Sequence, residues 1–155
     1  MNSRKLVIGR ADTIAFPEQA LFNIPAKVDT GAKTSAIWAT NIVEHNGGVS
    51  FTFFGPKSPL YTGEEVFVKH FSRVIIASSI GAEQLRYKVT LLMKLRSKRI
   101  RASFTLADRS QQAYPVLIGR NALRGKFLVD VQSGQPDRIA EHRRSKQLQH
   151  ELDRE

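Results

Sequence analysis

The chain has 155 residues, 41% hydrophobic and 25% charged, with no cysteine. That suffices for one domain, or one domain plus a tail, with a self-sufficient core, and it excludes disulfides and thiolate zinc sites. The formal net charge of +10 and the pI near 10.3 favour a polyanionic partner: nucleic acid, an anionic membrane surface or an acidic polypeptide.

In chain order, Leu6-Val7-Ile8 is too short an apolar stretch for a secretory leader. No later run approaches the roughly 20 residues needed to cross a bilayer. The expectation is a soluble cytoplasmic protein with no membrane association. Strand signals then follow closely. Pro25-Ala26-Lys27-Val28 leads into Asp29, and Ser35 to Thr40 is rich in small, β-branched and aromatic residues. Val49 to Phe54 begins with alternation, and Val66-Phe67-Val68 and Val74-Ile75-Ile76 come next. Tyr87 to Leu92 and Ile100 to Leu106 complete the set. Turn signals separate them at Asn46-Gly47-Gly48, Gly55 to Pro59, Ser79-Ile80-Gly81 and Arg96-Ser97-Lys98. Many short strands at close spacing predict an all-β barrel or sandwich. One short helix is expected at Arg120-Asn121-Ala122-Leu123.

After Gly134-Gln135-Pro136 the composition changes. Residues 1–133 form the expected domain, and 134–155 a charged tail, helical or disordered. From Asp137 to Glu155 there are five basic and five acidic side chains, so residues 1–136 carry the whole excess charge. The densest basic stretch is Arg86, Lys88, Lys94, Arg96, Lys98, Arg99 and Arg101. A solvated strand face with a hairpin turn explains it as readily as a phosphate-binding face. Aromatic residues are sparse within it, which counts against a single-strand stacking platform, and nucleic acid is not the expected partner.

Two segments carry chemistry. Asp29-Thr30-Gly31-Ala32 follows a strand. Asp and Gly are also ordinary turn residues. A water-activating carboxylate nevertheless suits the end of a rigid strand, where Gly31 permits close backbone approach and the Thr30 hydroxyl can bond a facing loop. The second segment is Tyr114 to Leu123, an apolar strand that breaks at Gly119 and continues into the helix start Arg120-Asn121. The four histidines, His45, His70, His142 and His150, make no His-Glu-x-x-His pair. No Gly-rich phosphate loop with a following Lys-Ser/Thr is present. Neither metal nor other cofactor is expected.

The two segments together resemble the retropepsins, the dimeric aspartic proteases of retroviruses. The matching residues are Lys27 to Ala32 and Pro115 to Leu123. A closer resemblance is to a bacterial retropepsin-like family formerly labelled putative ATP-dependent zinc proteases. Its pattern is seen in Asp29-Thr30-Gly31-Ala32-Lys33-Thr34-Ser35-Ala36, in Arg86-Tyr87, in the apolar-Gly-Arg junction and in Phe127-Leu128-Val129-Asp130. The resemblance spans about residues 6–133.

It implies a closed acid-protease barrel with one short C-terminal helix and a polar tail. It implies an aspartic endopeptidase with Asp29, Thr30 and Gly31 catalytic. Ile118, Gly119, Arg120 and Asn121 would support the site, and Ala32 and Lys33 would line the cleft. Ser79, Ile80 and Gly81 would form a flap over substrate, with Gly55 to Pro59 the competing flap candidate. One Asp-Thr-Gly is half a site, so the chain is expected to act as a homodimer with Asp29 and its symmetry mate sharing one water.

Retroviral enzymes carry an acidic residue where Lys33 stands. Arg120 therefore needs another partner, a carboxylate elsewhere or backbone carbonyls. Lys33 would favour acidic substrate side chains. Relatives of this family are associated with ATP-grasp ligases that append glutamate, so an acidic, glutamate-tagged peptide or protein is the substrate implied. The alternative is a catalytically silent module of the same fold that binds an acidic protein or nucleic acid.

Overall fold

Period-two patterning accounts for the long strands. Along Lys98–Ala107, Ile100, Ala102, Phe104 and Leu106 turn inward, while Arg99, Arg101 and Ser103 face solvent. The computed structural model describes residues 4–77 and 80–154. The strands are β1 (Leu6–Ile8), β2 (Ala11–Phe16), β3 (Leu21–Val28), β4 (Ser35–His45) and β5 (Gly48–Phe53). They continue with β6 (Glu65–Val68), β7 (Phe71–Ala77), β8 (Glu83–Leu95), β9 (Lys98–Ala107) and β10 (Val116–Ile118). Helix α1 (Arg120–Leu123), β11 (Phe127–Val129) and helix α2 (Arg138–Asp153) complete the chain.

Six strands close into a barrel in the order β10-β3-β2-β8-β9-β4, and the pairing of β10 with β4 completes the ring. The interior is filled by Phe16, Phe104, Ile37, Met93, Leu95 and their neighbours, with Phe16 edge-on to Phe104 at 5.4 Å between ring centroids. Strand β4 is longer than its sequence pattern indicates. Its first residues run parallel to β9 inside the barrel. A register shift after Thr40, with Asn41 at φ 53°, then bends it outward to pair with β5. Strand β5 is buried along its whole length, so Ser50 and Thr52 are as inaccessible as Val49 and Phe51.

The basic stretch lies on the β8–β9 hairpin. Lys94 and Arg99 face each other across it, and Arg96 turns the chain at φ 56°. Arg96 also donates to the buried carboxylate of Asp12 at 2.8 Å. Strands β1 and β11 form a separate parallel pair. Beside it, residues 133–135 cross Gly9 so closely that a side chain at Gly9 would lie 1.8 Å from the Ser133 carbonyl oxygen. This crossing directs the chain to α2, where Asp137 caps the helix by accepting from the Ala140 amide at 3.0 Å. Helix α2 buries no residue.

Candidate active site

The site is built on a threaded strand. Strand β10 lies between β3, to which it is parallel, and β4, to which it is antiparallel. These are the strands on either side of loop 29–34, so the loop arches over the end of β10. Its backbone is held from both sides. The Asp29 amide donates to the Ile118 carbonyl at 2.9 Å. Past the junction, the Arg120 amide donates to the Ala32 carbonyl at 2.8 Å and the Asn121 amide to the Lys33 carbonyl at 3.1 Å. The otherwise unpartnered amides of the first turn of α1 thus serve the loop.

Side chains finish the cradle. The Gly31 amide donates to Asp29 Oδ1 at 3.0 Å, which orients one carboxylate oxygen within the loop. Among the described residues, Oδ2 accepts no hydrogen bond. Arg120 Nη1 donates to the Gly31 carbonyl at 3.1 Å, so its partner is backbone rather than a carboxylate. Buried Ser35 accepts from the Gly119 amide at 3.0 Å. Asp29 and Ala32 are half-buried, and Thr30, Gly31 and Lys33 are exposed. Asp29 through Lys33 therefore sit together with Ile118 to Asn121 on one surface.

The two flap candidates differ. Ile80, 88% exposed, and Gly81, at φ 83°, stand at the tip of the β7–β8 hairpin; Ser79 lies outside the described residues. Among the described residues, no hydrogen bond or ion pair joins Ile80 or Gly81 to the Asp29 loop. Gly55 is buried against Trp38, whose Cζ2 would lie 2.5 Å from an added Cβ, so the Gly55 to Pro59 turn is pinned to the barrel.

Sequence reasoning missed a polar cluster beside the loop. Arg109, half-buried, donates from Nε to the Tyr114 carbonyl at 3.0 Å. Burial pushes its guanidinium below the ordinary arginine value, and the Asp29 charge acts the other way. Tyr114, buried, donates its hydroxyl to Glu141 Oε2 at 2.7 Å and accepts from the Asp137 amide at 2.8 Å. Arg10 grips Glu141 with both terminal nitrogens, at 2.6 and 3.0 Å. The Arg10 hydrogen bond outweighs burial and holds the Glu141 carboxyl down at about 2. Burial, then the bond to Glu141, pushes the Tyr114 phenol up to about 12. A cavity of about 350 Å³ opens here, walled by Arg10, Lys27, Arg109, Tyr114, Leu117 and Arg144. Isolated residues from four distant segments make this cluster, and no local pattern announces it. Among the described residues, no three His, Asp or Glu side chains converge as metal ligands would.

Known proteins agree with this architecture. A family model described as retropepsin-like aspartic endopeptidase RimB matches residues 7–136. A probable alpha-L-glutamate ligase from Shewanella pealeana is 33% identical over 138 residues, covering 84% of this chain and 29% of that protein. A protein of the same description from Parasynechococcus marenigrum is 29% identical over 132 residues, covering 83% and 28%. The chain thus spans under a third of the length of these curated relatives. The crystal structure of a Legionella pneumophila protein of unknown function superposes with a TM-score of 0.66 at 26% identity, over 84% of this chain and 97% of that one. With the threaded Asp-Thr-Gly loop and the match over residues 7–136, the chain belongs to the RimB-like family of retropepsin-like aspartic endopeptidases.

Proposed function

We propose that the protein is an aspartic endopeptidase that acts as a homodimer, with two Asp29 carboxylates flanking one water. The observation that carries this reading is the threaded loop. Asp29 is held at its amide by β10 and at one carboxylate oxygen by Gly31, while the other oxygen accepts no hydrogen bond from the described residues. One chain supplies one such carboxylate, and the chemistry requires two. The ionised member takes a proton from water, and the protonated member donates a hydrogen bond to the scissile carbonyl. Two like charges at that separation cannot both ionise, so the pair titrates as a unit. In this reading Thr30, which is exposed, reaches across the two-fold axis, and Gly31 and Ala32 line the cleft.

The relatives described as probable alpha-L-glutamate ligases carry a region like this chain within much longer proteins. Together with the +10 charge, this supports an acidic, glutamate-tagged polypeptide as substrate and an ATP-grasp glutamate ligase as the functional partner. The test is Asp29→Asn, assayed on a peptide library beside sedimentation of both proteins. The variant should remain folded and dimeric and lose at least about 100-fold in cleavage rate. A dimeric variant cleaving at the wild-type rate would sink the assignment. A wild-type protein that retains acidic peptides and cleaves none would be a binding module instead.

A further inference from the structure

The cavity beside Asp29 has an unusual charge balance. Its one carboxylate, Glu141, is already satisfied by both nitrogens of Arg10 and by the Tyr114 hydroxyl. Three cations in the same wall remain: Arg109, Lys27 and Arg144. Arg109 is the distinctive one. Exposed lysines and arginines are hydrated and mobile, whereas this guanidinium is half-buried and tethered through Nε to the Tyr114 carbonyl. Among the described residues it forms no ion pair with any carboxylate. A partly desolvated guanidinium held at one nitrogen is a preorganised fork for a planar anion.

Its place in the fold gives it a role. Lys27 and Val28, in the same wall, immediately precede Asp29, and Leu117 immediately precedes Ile118, whose carbonyl holds the Asp29 amide. A peptide laid across Asp29 therefore passes this cavity within a residue or two of the bond being cut. The volume suffices for one or two side chains.

We infer that the cavity between β3, β10 and the first turns of α2 is a carboxylate subsite in which Arg109 binds an acidic group of the peptide next to the scissile bond. The inference rests on the proposed function for placing the peptide across Asp29. The acidic group is either an internal glutamate or aspartate side chain or the terminal carboxylate of a short peptide.

The subsite can be tested without turnover, on the full-length Asp29→Asn protein, by fluorescence anisotropy. Three labelled hexapeptides serve as probes: one with an internal glutamate and an amidated end, its glutamine counterpart, and that counterpart with a free C-terminus. The glutamate or the free-ended peptide should bind at least tenfold tighter than the neutral one, and whichever does identifies the source of the carboxylate. Arg109→Gln should abolish that preference. Arg109→Lys, which keeps the charge but loses the fork and its bond to the Tyr114 carbonyl, should retain a reduced part of it. Arg99→Gln, the same charge change on the exposed face of β9, should leave it intact.

No preference in the starting protein, which needs no further variant to fold, would overturn the subsite. So would a preference untouched by Arg109→Gln, one lost equally in Arg109→Lys, or one lost equally in Arg99→Gln. Because binding is read on an inactive background, an Arg109-dependent preference would stand even if cleavage by the wild type proved independent of Asp29. Equal binding of all three peptides would remove the subsite and leave the catalytic reading in place.

Discussion

Gly119 is a glycine for want of space, not for its backbone angle. Its φ of −85° is open to any residue, but an added Cβ would meet the Thr34 carbonyl carbon at 2.6 Å and the Ala32 carbonyl oxygen at 3.0 Å. Both are backbone atoms of the Asp29 loop and cannot rotate away. Gly119→Ala should therefore push loop 29–34 off β10, at about 1–3 kcal/mol of stability, and should lower cleavage further than that destabilisation accounts for. Urea unfolding beside peptide cleavage checks both. This junction shows what could be read from residues alone. Asp29-Thr30-Gly31 and Ile118-Gly119-Arg120-Asn121 stood out as segments, because strand ends and glycine breaks are local signals. The bond from Arg120 to the Gly31 carbonyl did not, since two loops 89 residues apart must first be brought together. Arg109 left no trace, because a single arginine after a strand is the commonest of patterns until its burial is known.

Helix α2 is held by polar side chains, the foremost a carboxylate. It buries no residue, and it is attached through Glu141 to Arg10 and Tyr114, through the Asp137 amide to the Tyr114 hydroxyl, and through Gln147 to Gln111. Its helical composition was legible, but its docking was not: the attachment has no periodic apolar face, and its partners come from β2's approach and from the start of β10. The pH dependence follows. Glu141, chiefly through Arg10, titrates at about 2 in the docked state against an ordinary 4.5. A carboxyl so depressed stabilises docking fully above the ordinary value and loses that contribution as pH falls from about 4.5 towards 2. Hydrogen exchange, corrected for intrinsic rates, should show α2 amides losing protection across that interval. In Glu141→Gln the helix should be weakly protected throughout, with the pH dependence gone. Exchange in α2 that is equal in the two proteins at neutral pH would contradict this account.

For the whole molecule, charge and topology act at different ranges. The excess of ten positive charges extends a field that attracts acidic chains before any contact forms. Between about 0.05 and 0.5 M salt, cleavage of an acidic peptide should slow severalfold while that of a neutral peptide changes little, because the Debye length contracts across this range. Equal salt effects on both would rule out steering. The all-β class was legible from the count and spacing of strands, and the closed barrel from the family resemblance; local pattern alone did not carry the closure, because β10 has three residues and its pairing with β3 is non-local. That closure sets a timetable for the chain's own synthesis. The strand that completes the barrel is also the one that positions Asp29, and it lies roughly three-quarters of the way along the sequence. Pairings so distant in sequence form late and slowly. A ribosome-bound chain ending before Ile118 has its aspartate but not the carbonyl that holds it, so in a nascent chain the Asp29 loop stays unassembled until its own barrel is shut.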